Sequence, residues 1–491
     1  MKKVIVIGGG LAGLTAASYL AKNNYDVTIY EKNNNLGGFV TYWTRKNQLI
    51  DGCIHWLLGT SPKGDVNKIY QEMHAFDNDE VIQLESFYKV FYEGETLTFY
   101  NDIDKLEKEL YRVSVNDDKE IEKLIDAIKC VGIFELDTSC PKELKEEGAQ
   151  GMTFSKDFFR KTIYYMANTI EQVAEKFNSP IIKYALLNSL IDKKFVGLYL
   201  VETLANLVNG NAGVPKGGSK SFIENIKKNY ESLGGKYVLN KEVEKVIIED
   251  DKAIGILLKD GTVVESDYVI SSTGVHHTFS KLLKNKYNPS IYDLLDSQKD
   301  KFLTYSFYIV SFKTKADLSK KQNSEIYKVK PYTIGTRTYD SFLIRHYAYD
   351  DLLKTDGYST IEILVPTYED DFDYLKTLDR NEYNQLKKKL GEICLEKFEE
   401  VNYLKKDELE LIDIATPLTM ARYMNAYKGS YMPYMFIPRV NVELHSNRVE
   451  GLSNFYIANQ WQMLPGGTPV ATVSGKFAAQ IVMHDDKNRD Q

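Results

Sequence analysis

The chain has 491 residues, a formal net charge of −7 and 43% hydrophobic residues, which allows about two to four domains of ordinary globular make-up. The acidic balance offers no basic face for nucleic acid, and no run of about twenty apolar residues points to a membrane-spanning helix. Four cysteines (Cys53, Cys130, Cys140, Cys394) without CxxC or metal-like spacing exclude a disulfide scaffold and fit a reduced, cytoplasmic protein.

The chain enters its first strand at once. Val4-Ile5-Val6-Ile7 reads as a buried strand, Gly8-Gly9-Gly10-Leu11-Ala12-Gly13 as a Gly-x-Gly-x-x-Gly turn opening a helix, and Val27-Thr28-Ile29-Tyr30-Glu31 as a second strand ending in an acid. Each part has a task in dinucleotide binding. Gly8 allows the tight turn, Gly10 lets the backbone approach a pyrophosphate, and Gly13 lets the helix pack close to the sheet. The first helical amides, at Leu11 and Ala12, present free N–H groups and positive dipole to phosphate. Glu31 stands where a ribose hydroxyl is accepted. Lys32 follows, and then Gly37-Gly38-Phe39-Val40 supply a second glycine pair whose amides reach the same pyrophosphate from another side.

Beyond this unit, 48–60 carries Asp51-Gly52 and His55-Trp56, and 64–76 reads as helix. The aromatic stretch over 84–100 predicts a hairpin turning near Gly94 and Thr96. Residues 102–206 are mostly helical by periodicity, broken near Pro141 and Gly148–Gly151, and form a natural lid or cap. Val214-Pro215-Lys216-Gly217-Gly218-Ser219 breaks the chain before a helix over Lys220–Ser232. Strands follow at Tyr237–Leu239, Val243–Glu249, Ala253–Leu258 and Tyr268–Ser272, with Asp260-Gly261 as a turn. Strands at 302–313, 332–347 and 358–366 belong to a second sheet, followed by a helix over 380–400 and a strand over 408–415. The last segment is strand Phe455–Ala458, a loop, and helix Val470–Met483. This alternation predicts a discontinuous architecture. Residues 1–83, 211–295 and 446–491 build one nucleotide-binding domain, and 84–210 with 296–445 build a substrate domain with a helical cap. Gly217-Gly218 and Gly466-Gly467 lack the strand-turn-helix context with a trailing acid, so no separate NAD(P)H domain is expected.

The motifs in this order resemble the phytoene desaturase family, with its carotenoid isomerases and retinol saturases, within the amine oxidase superfamily. The resemblance rests on Gly8 to Gly38, Leu49-Ile50-Asp51-Gly52, Pro215-Lys216-Gly217-Gly218, Lys241–Val246, Ala415–Thr419 with Arg422-Tyr423, and Tyr456 through Gly475. It implies an α/β fold with an FAD-binding Rossmann-like domain of the glutathione reductase type, a mixed-sheet substrate domain and a helical cap. It implies extended FAD as cofactor and a lipophilic, polyene- or isoprenoid-like substrate altered at a C–C bond by desaturation, saturation or isomerisation. Position by position, Val243 matches the residue whose backbone meets the adenine, and Gln460 the polar residue near the ribityl chain. Thr468 and Val470 fall at the start of the last helix, whose N-terminus faces the flavin. Relatives have glycine before the position of Gln460. Asn459 stands there, and asparagine tolerates positive φ better than most residues.

Two residues are candidates for a part in catalysis. His55 lies near the flavin if the resemblance holds, as proton donor or substrate-orienting group, or as a hydrogen-bonded histidine packed under Trp56. Arg422 is a candidate to hold an acidic substrate or a flavin-facing water, with a structural ion pair as the other reading. Cys53 reads as core. His276-His277 lack a third ligand, so no metal site is assigned. The apolar helical pair over 181–208 is a candidate for peripheral contact with the cytoplasmic membrane face, with burial against the cap as the alternative. Nothing in the sequence sets an oligomeric state. Two other functions share the architecture: an amine oxidase-like flavoenzyme, and a flavin-free prenyl-lipid-binding escort protein, which the intact glycines and Glu31 disfavour.

Overall fold

The structure is a computed structural model and describes residues 1–133, 136–145, 155–190, 192–440 and 444–489. The chain begins with β1 (Lys3–Ile7), α1 (Leu11–Lys22) and β2 (Asp26–Tyr30). The hairpin β3 (Ser86–Tyr92) and β4 (Glu95–Tyr100) turns at Gly94, whose φ of 87° suits glycine. The cap follows as α2 (Ile103–Arg112), α3 (Asp118–Val131), α4 (Lys156–Ala167), α5 (Pro180–Ser189) and α6 (Leu198–Val208). The expected break at Gly148–Gly151 lies outside the described residues.

The chain then returns to the sheet of β1 and β2 through α7 (Gly218–Ser232), β5 (Lys236–Val238), β6 (Val243–Glu249), β7 (Lys252–Leu258) and β8 (Tyr268–Ser271). It leaves again for β9 (Tyr305–Thr314), β10 (Ser324–Ile334), β11 (Arg337–His346), β12 (Ser359–Tyr368), α8 (Arg380–Glu400), β13 (Glu410–Ala415) and α9 (Pro417–Met424). β14 (Leu452–Ile457) and α10 (Gly467–Arg489) close it.

One sheet runs β5-β2-β1-β8-β14-β7-β6. Its first five strands are parallel, and β6 and β7 form an antiparallel extension. Parallel strands covered by helices are apolar on both faces, and Val4, Ile5, Val6 and Ile7 are all buried. The second sheet runs β13-β9-β12-β11-β10-β3-β4. It is antiparallel except where β10 lies alongside β3, and α8 covers one side of it through Leu390, Cys394 and Phe398.

Two departures from the sequence reading have plain causes. The stretch 332–347 is not one strand. It spans the end of β10, a two-residue turn at Gly335-Thr336, and β11. Thr333 and Thr338 continue the alternation across the turn, which hid it. The helical pair over 181–208 is buried rather than lipid-facing. Ile181, Ile182, Leu186, Leu200, Val201 and Leu204 sit in the cap core with Ile121, Leu124 and Ile128 of α3. Helices that are apolar all round belong inside. Among the described residues, no helix is long and apolar enough to cross a membrane.

Candidate active site

The two glycine turns meet backbone to backbone. Gly8, with φ 94°, swings the chain off β1, and its amide donates to the Tyr30 carbonyl at 2.9 Å. A Cβ on Gly13 would stand 2.3 Å from the Gly8 carbonyl oxygen, which is why the first turn of α1 comes so near the strand. The Gly37 amide donates to the Gly9 carbonyl at 2.8 Å. A Cβ on Gly38, itself at φ 60°, would lie 2.8 Å from the Gly10 Cα. No side chain caps the N-terminus of α1, so its first amides are open to a ligand.

Glu31 is buried at the end of β2. One carboxylate oxygen accepts from the Gly9 amide at 2.8 Å. The other accepts from the amide and side chain of Asn33 at 2.8 and 2.9 Å. A carboxylate offers about four acceptor positions, so one remains beside the glycines.

Two further motifs join at Asp51. Its Oδ1 accepts from the Cys53 and Ile54 amides at 3.0 Å and from Ser219 Oγ at 2.5 Å. Its Oδ2 accepts from the Ser219 amide at 2.7 Å. Asp51 thus caps α7 from a distant loop, where a carboxylate suits a helix N-terminus. Gly218 is needed there because a Cβ would fall 2.2 Å from Oδ2. The loop 51–55 is held under the cavity by this joint.

A cavity of about 550 Å³ runs from the glycine turns into the space between the cap and the second sheet, within the size range of cofactor and ligand sites. Of the sequence-selected cofactor residues, Gly8, Gly10, Leu11, Ala12, Glu31, Lys32, Gly37, Gly38, Phe39, Val40, His55, Val243, Gln460, Thr468 and Val470 all line it. Gly13 lies behind them as a packing residue. The last helix starts at Gly467, three residues before the expected Val470, after Gly466 and Gly467 at φ 88° each. Gln460 Oε1 accepts from the Gly467 amide at 3.1 Å. Gly475 lets α10 rest on α1, since a Cβ there would meet the Ala12 carbonyl at 2.4 Å.

Asn459 works differently from the expectation. Its φ is −156°, extended backbone that any residue adopts. The side chain is what counts: Oδ1 accepts from the Trp461 amide at 2.9 Å, and Nδ2 donates to the Thr273 carbonyl at 3.0 Å. It ties the β14 loop to the β8 loop.

His55 is half-buried against the cavity, with its ring 6.1 Å from Trp56. Nδ1 lies 2.9 Å from the Cys53 carbonyl. A carbonyl only accepts, so this nitrogen carries the proton and Nε2 is an acceptor. Burial and the nearby Arg345 guanidinium hold the ring well below the usual histidine pKa, against a smaller opposing pull from the Cys53 carbonyl. The neutral ring is therefore favoured, with Nε2 left as an acceptor. Burial pushes the Cys53 thiol up to about 12, leaving little thiolate for chemistry. Arg422 is the clear miss. Its side chain is exposed, lies over the Tyr423 ring, and is absent from the cavity lining. α9 presents Tyr423, Met424 and Asn425 there instead.

Two acidic groups in the cavity, Glu362 and Glu202, were not singled out from sequence. Glu362 on β12 pairs in register with Arg345 on β11. One of its carboxyl oxygens accepts from Tyr347 Oη at 2.7 Å, and the other has no partner. Burial, with Asp51 nearby, raises it to about 8 against the opposing effects of Tyr347 and Arg345. Glu202 on α6 is likewise raised to about 8, by burial alone. Both stand in stretches that read as ordinary strand and helix. The only available signal was a lone acid in an apolar run.

Residues 11–483 match the model of the family described as flavin containing amine oxidoreductase. The chain belongs to this family. It is 25% identical to prolycopene isomerase 1, chloroplastic, from an Oncidium hybrid cultivar, over 87% of this chain and 75% of that protein. It is 21% identical to a 4,4'-diapophytoene desaturase (4,4'-diapolycopene-forming) from Methylomonas sp, over 99% of this chain and 96% of that protein. The solved structure of an oxidoreductase from Methanosarcina mazei superposes with a TM-score of 0.60 at 16% identity, covering 98% of this chain and 100% of that one. This last likeness speaks to the fold. The protein is an FAD-dependent oxidoreductase of the amine oxidase superfamily, and the residues present fit an extended dinucleotide. Paired glycine turns would not admit a Cβ, a helix start has no side-chain cap, and a buried acid keeps one acceptor position.

Proposed function

We propose that the protein desaturates, saturates or isomerises C–C bonds of a lipophilic, polyene- or isoprenoid-like substrate. The observation carrying this reading is the continuity of one cavity from the glycine turns to a chamber lined by Leu187, Phe195, Ile309, Leu343 and Met435. An apolar chain would lie there away from water while one of its bonds meets the flavin end. Relatives named for acting on prolycopene and diapophytoene support the same class.

In this reading the FAD pyrophosphate is held by amides around Gly10, Leu11, Ala12 and Gly38. Glu31 takes a ribose hydroxyl, and Val243 lies at the adenine. Bound FAD supplies hydride transfer. The start of α10 at Gly467, Thr468 and Val470 directs its amides and positive dipole at the flavin end, which favours negative charge there. Gln460 fixes that helix start through the Gly467 amide. His55 orients substrate through Nε2, and Phe39, Tyr431 and Phe307, packed edge to face, exclude water. We assign 1–83, 211–295 and 446–491 to the cofactor domain and 84–210 with 296–445 to the substrate domain and cap. Peripheral membrane contact belongs to the same reading, through α4, whose Phe159, Ile163 and Met166 are exposed along one face.

The test is anaerobic single turnover of the FAD-loaded protein with C30 and C40 polyenes, and with mono- and diamines as the contrasting set. Flavin reduction or polyene isomerisation with the former alone supports the reading. Reduction by amines alone overturns it.

A further inference from the structure

Beside Thr203, the cap helix α6 turns Tyr199, Glu202 and Asn206 into the cavity. Their spacing of three and four residues puts them on one face. Asn206 is fully engaged. Its Oδ1 accepts from Asn211 Nδ2 at 2.9 Å, and its Nδ2 donates to the Glu202 carbonyl at 2.9 Å. Tyr199 and Glu202 are not. The Tyr199 hydroxyl is buried with no hydrogen-bond partner. Among the described residues, no hydrogen bond or ion pair reaches the Glu202 carboxyl. Around them stand rings: Phe436 at 5.3 Å from Tyr199, and Tyr305 beside Phe195 at 6.0 Å.

Leaving a buried donor unmade is costly, and the Tyr199 hydroxyl is one, a helical turn from the unbonded Glu202 carboxyl at the cavity wall. A carboxyl serving only to pack would be bonded into the core, as Asp51 is. We propose that Tyr199 and Glu202 jointly receive a carbonyl or hydroxyl oxygen at one end of the substrate, so that the site takes oxygenated isoprenoids in preference to plain hydrocarbons. This deepens, and rests on, the polyene reading above.

The chemistry is consistent at neutral pH. Burial keeps the Glu202 carboxyl protonated, so it donates, as the Tyr199 phenol does. The titratable neighbours are phenols, Tyr199 and Tyr305, both raised further by burial. An oxygen with two lone pairs satisfies both donors at once. A hydrocarbon leaves both unmade, and sites built to hydrogen-bond a substrate reject analogues that lack the group.

The test uses the FAD-loaded protein and three C20 isoprenoids of one skeleton: the aldehyde, the alcohol and the hydrocarbon. Binding is read by quenching of tryptophan fluorescence, since Trp56 lines the cavity. Wild type is expected to bind the aldehyde or the alcohol at least tenfold tighter than the hydrocarbon. A tighter aldehyde assigns the carbonyl, and a tighter alcohol the hydroxyl. The double variant Tyr199→Phe with Glu202→Leu abolishes that preference by gaining hydrocarbon affinity, a gain that a misfolded variant would not show. Glu202→Gln, which keeps a donor, retains most of it. Equal binding of all three by wild type, or a preference that survives the double variant, overturns the proposal and leaves the polyene reading intact. If none of the three binds, both fall together.

Discussion

The Lys32 ammonium donates to the main-chain carbonyl of Arg422 at 2.8 Å. It also reaches Asn425 Oδ1 at 2.6 Å. Lys32 directly follows Glu31 beyond β2, while Arg422 and Asn425 close α9. The last carbonyls of a helix carry partial negative charge and lack intrahelical donors. A lysine from the end of the first βαβ unit answers both needs. Burial lowers its pKa more than Glu242 and Glu31 raise it, as expected for an ammonium held against the end of α9.

It follows that Arg422 matters through its backbone and Lys32 through its side chain. Arg422→Ala is expected to leave single-turnover rates within about twofold, because an exposed surface side chain contributes little. Lys32→Met is expected to lower unfolding stability by about 1 kcal/mol, read from urea titrations monitored by tyrosine and flavin signals together. A large loss of rate in Arg422→Ala with stability unchanged would return the arginine to the site.

Cofactor retention is governed by the closest backbone approach. Gly38→Ala places a Cβ 2.8 Å from the Gly10 Cα and imposes a side chain at φ 60°. A left-handed conformation alone costs an alanine about 1–2 kcal/mol, equivalent to roughly a tenfold loss in affinity. FAD content after dialysis, measured by absorbance, should fall accordingly. Glu31→Ala should fall at least as far, since it leaves the buried Gly9 amide and the part-buried Asn33 amide unpaired at about 1–3 kcal/mol. Full flavin occupancy in both variants would relocate the pyrophosphate.

What the sequence made legible was set by backbone chemistry. Gly8, Gly13, Gly37 and Gly38 are demanded by close approach or positive φ, and only glycine meets that demand, so the residue type carries the geometry. The cavity's far wall was opaque for the opposite reason. Glu362 and Arg345 meet through strand register, and Glu202 meets the cavity through the rotation of α6. Neither register nor rotation leaves a local trace. Asn459 shows the same limit at one position. Its identity was noticed, but a positive φ and a two-ended side-chain clamp predict the same letter. Arg422 was misjudged because its motif neighbours, Tyr423 to Asn425, are the ones that face inward.

Glu362 supplies a pH signature. Its folded-state pKa of about 8 lies above the 4.5 of a free glutamate. Between those values the folded protein holds a proton that the unfolded chain has released, so stability declines as pH rises. The contribution is intact below about pH 4.5 and lost once pH passes 8. Burial is the main cause, with Tyr347 and Arg345 opposing it and Asp51 adding to it. Urea midpoints measured from pH 5 to 9 should therefore slope downward, and Glu362→Gln should flatten part of that slope. An unchanged slope in the variant would mean that Glu362 is ionised throughout, paired with Arg345.

The surface of α4 tests the route by which a lipophilic molecule arrives. Phe159, Ile163 and Met166 are 44%, 59% and 36% exposed, four and three residues apart and so on one face of the helix. Thr162 and Tyr165, on the other face, are buried. Lys156 and Arg160 flank the stripe, a pattern that suits an interfacial helix lying at a lipid headgroup boundary. The protein is expected to co-sediment with anionic phospholipid vesicles, with Ile163→Glu reducing the bound fraction severalfold, since an exposed site tolerates the change without unfolding. Sedimentation that ignores Ile163→Glu would place lipid contact elsewhere on the cap. Loss of sedimentation with intact turnover of detergent-dispersed substrate would assign α4 to delivery rather than to chemistry.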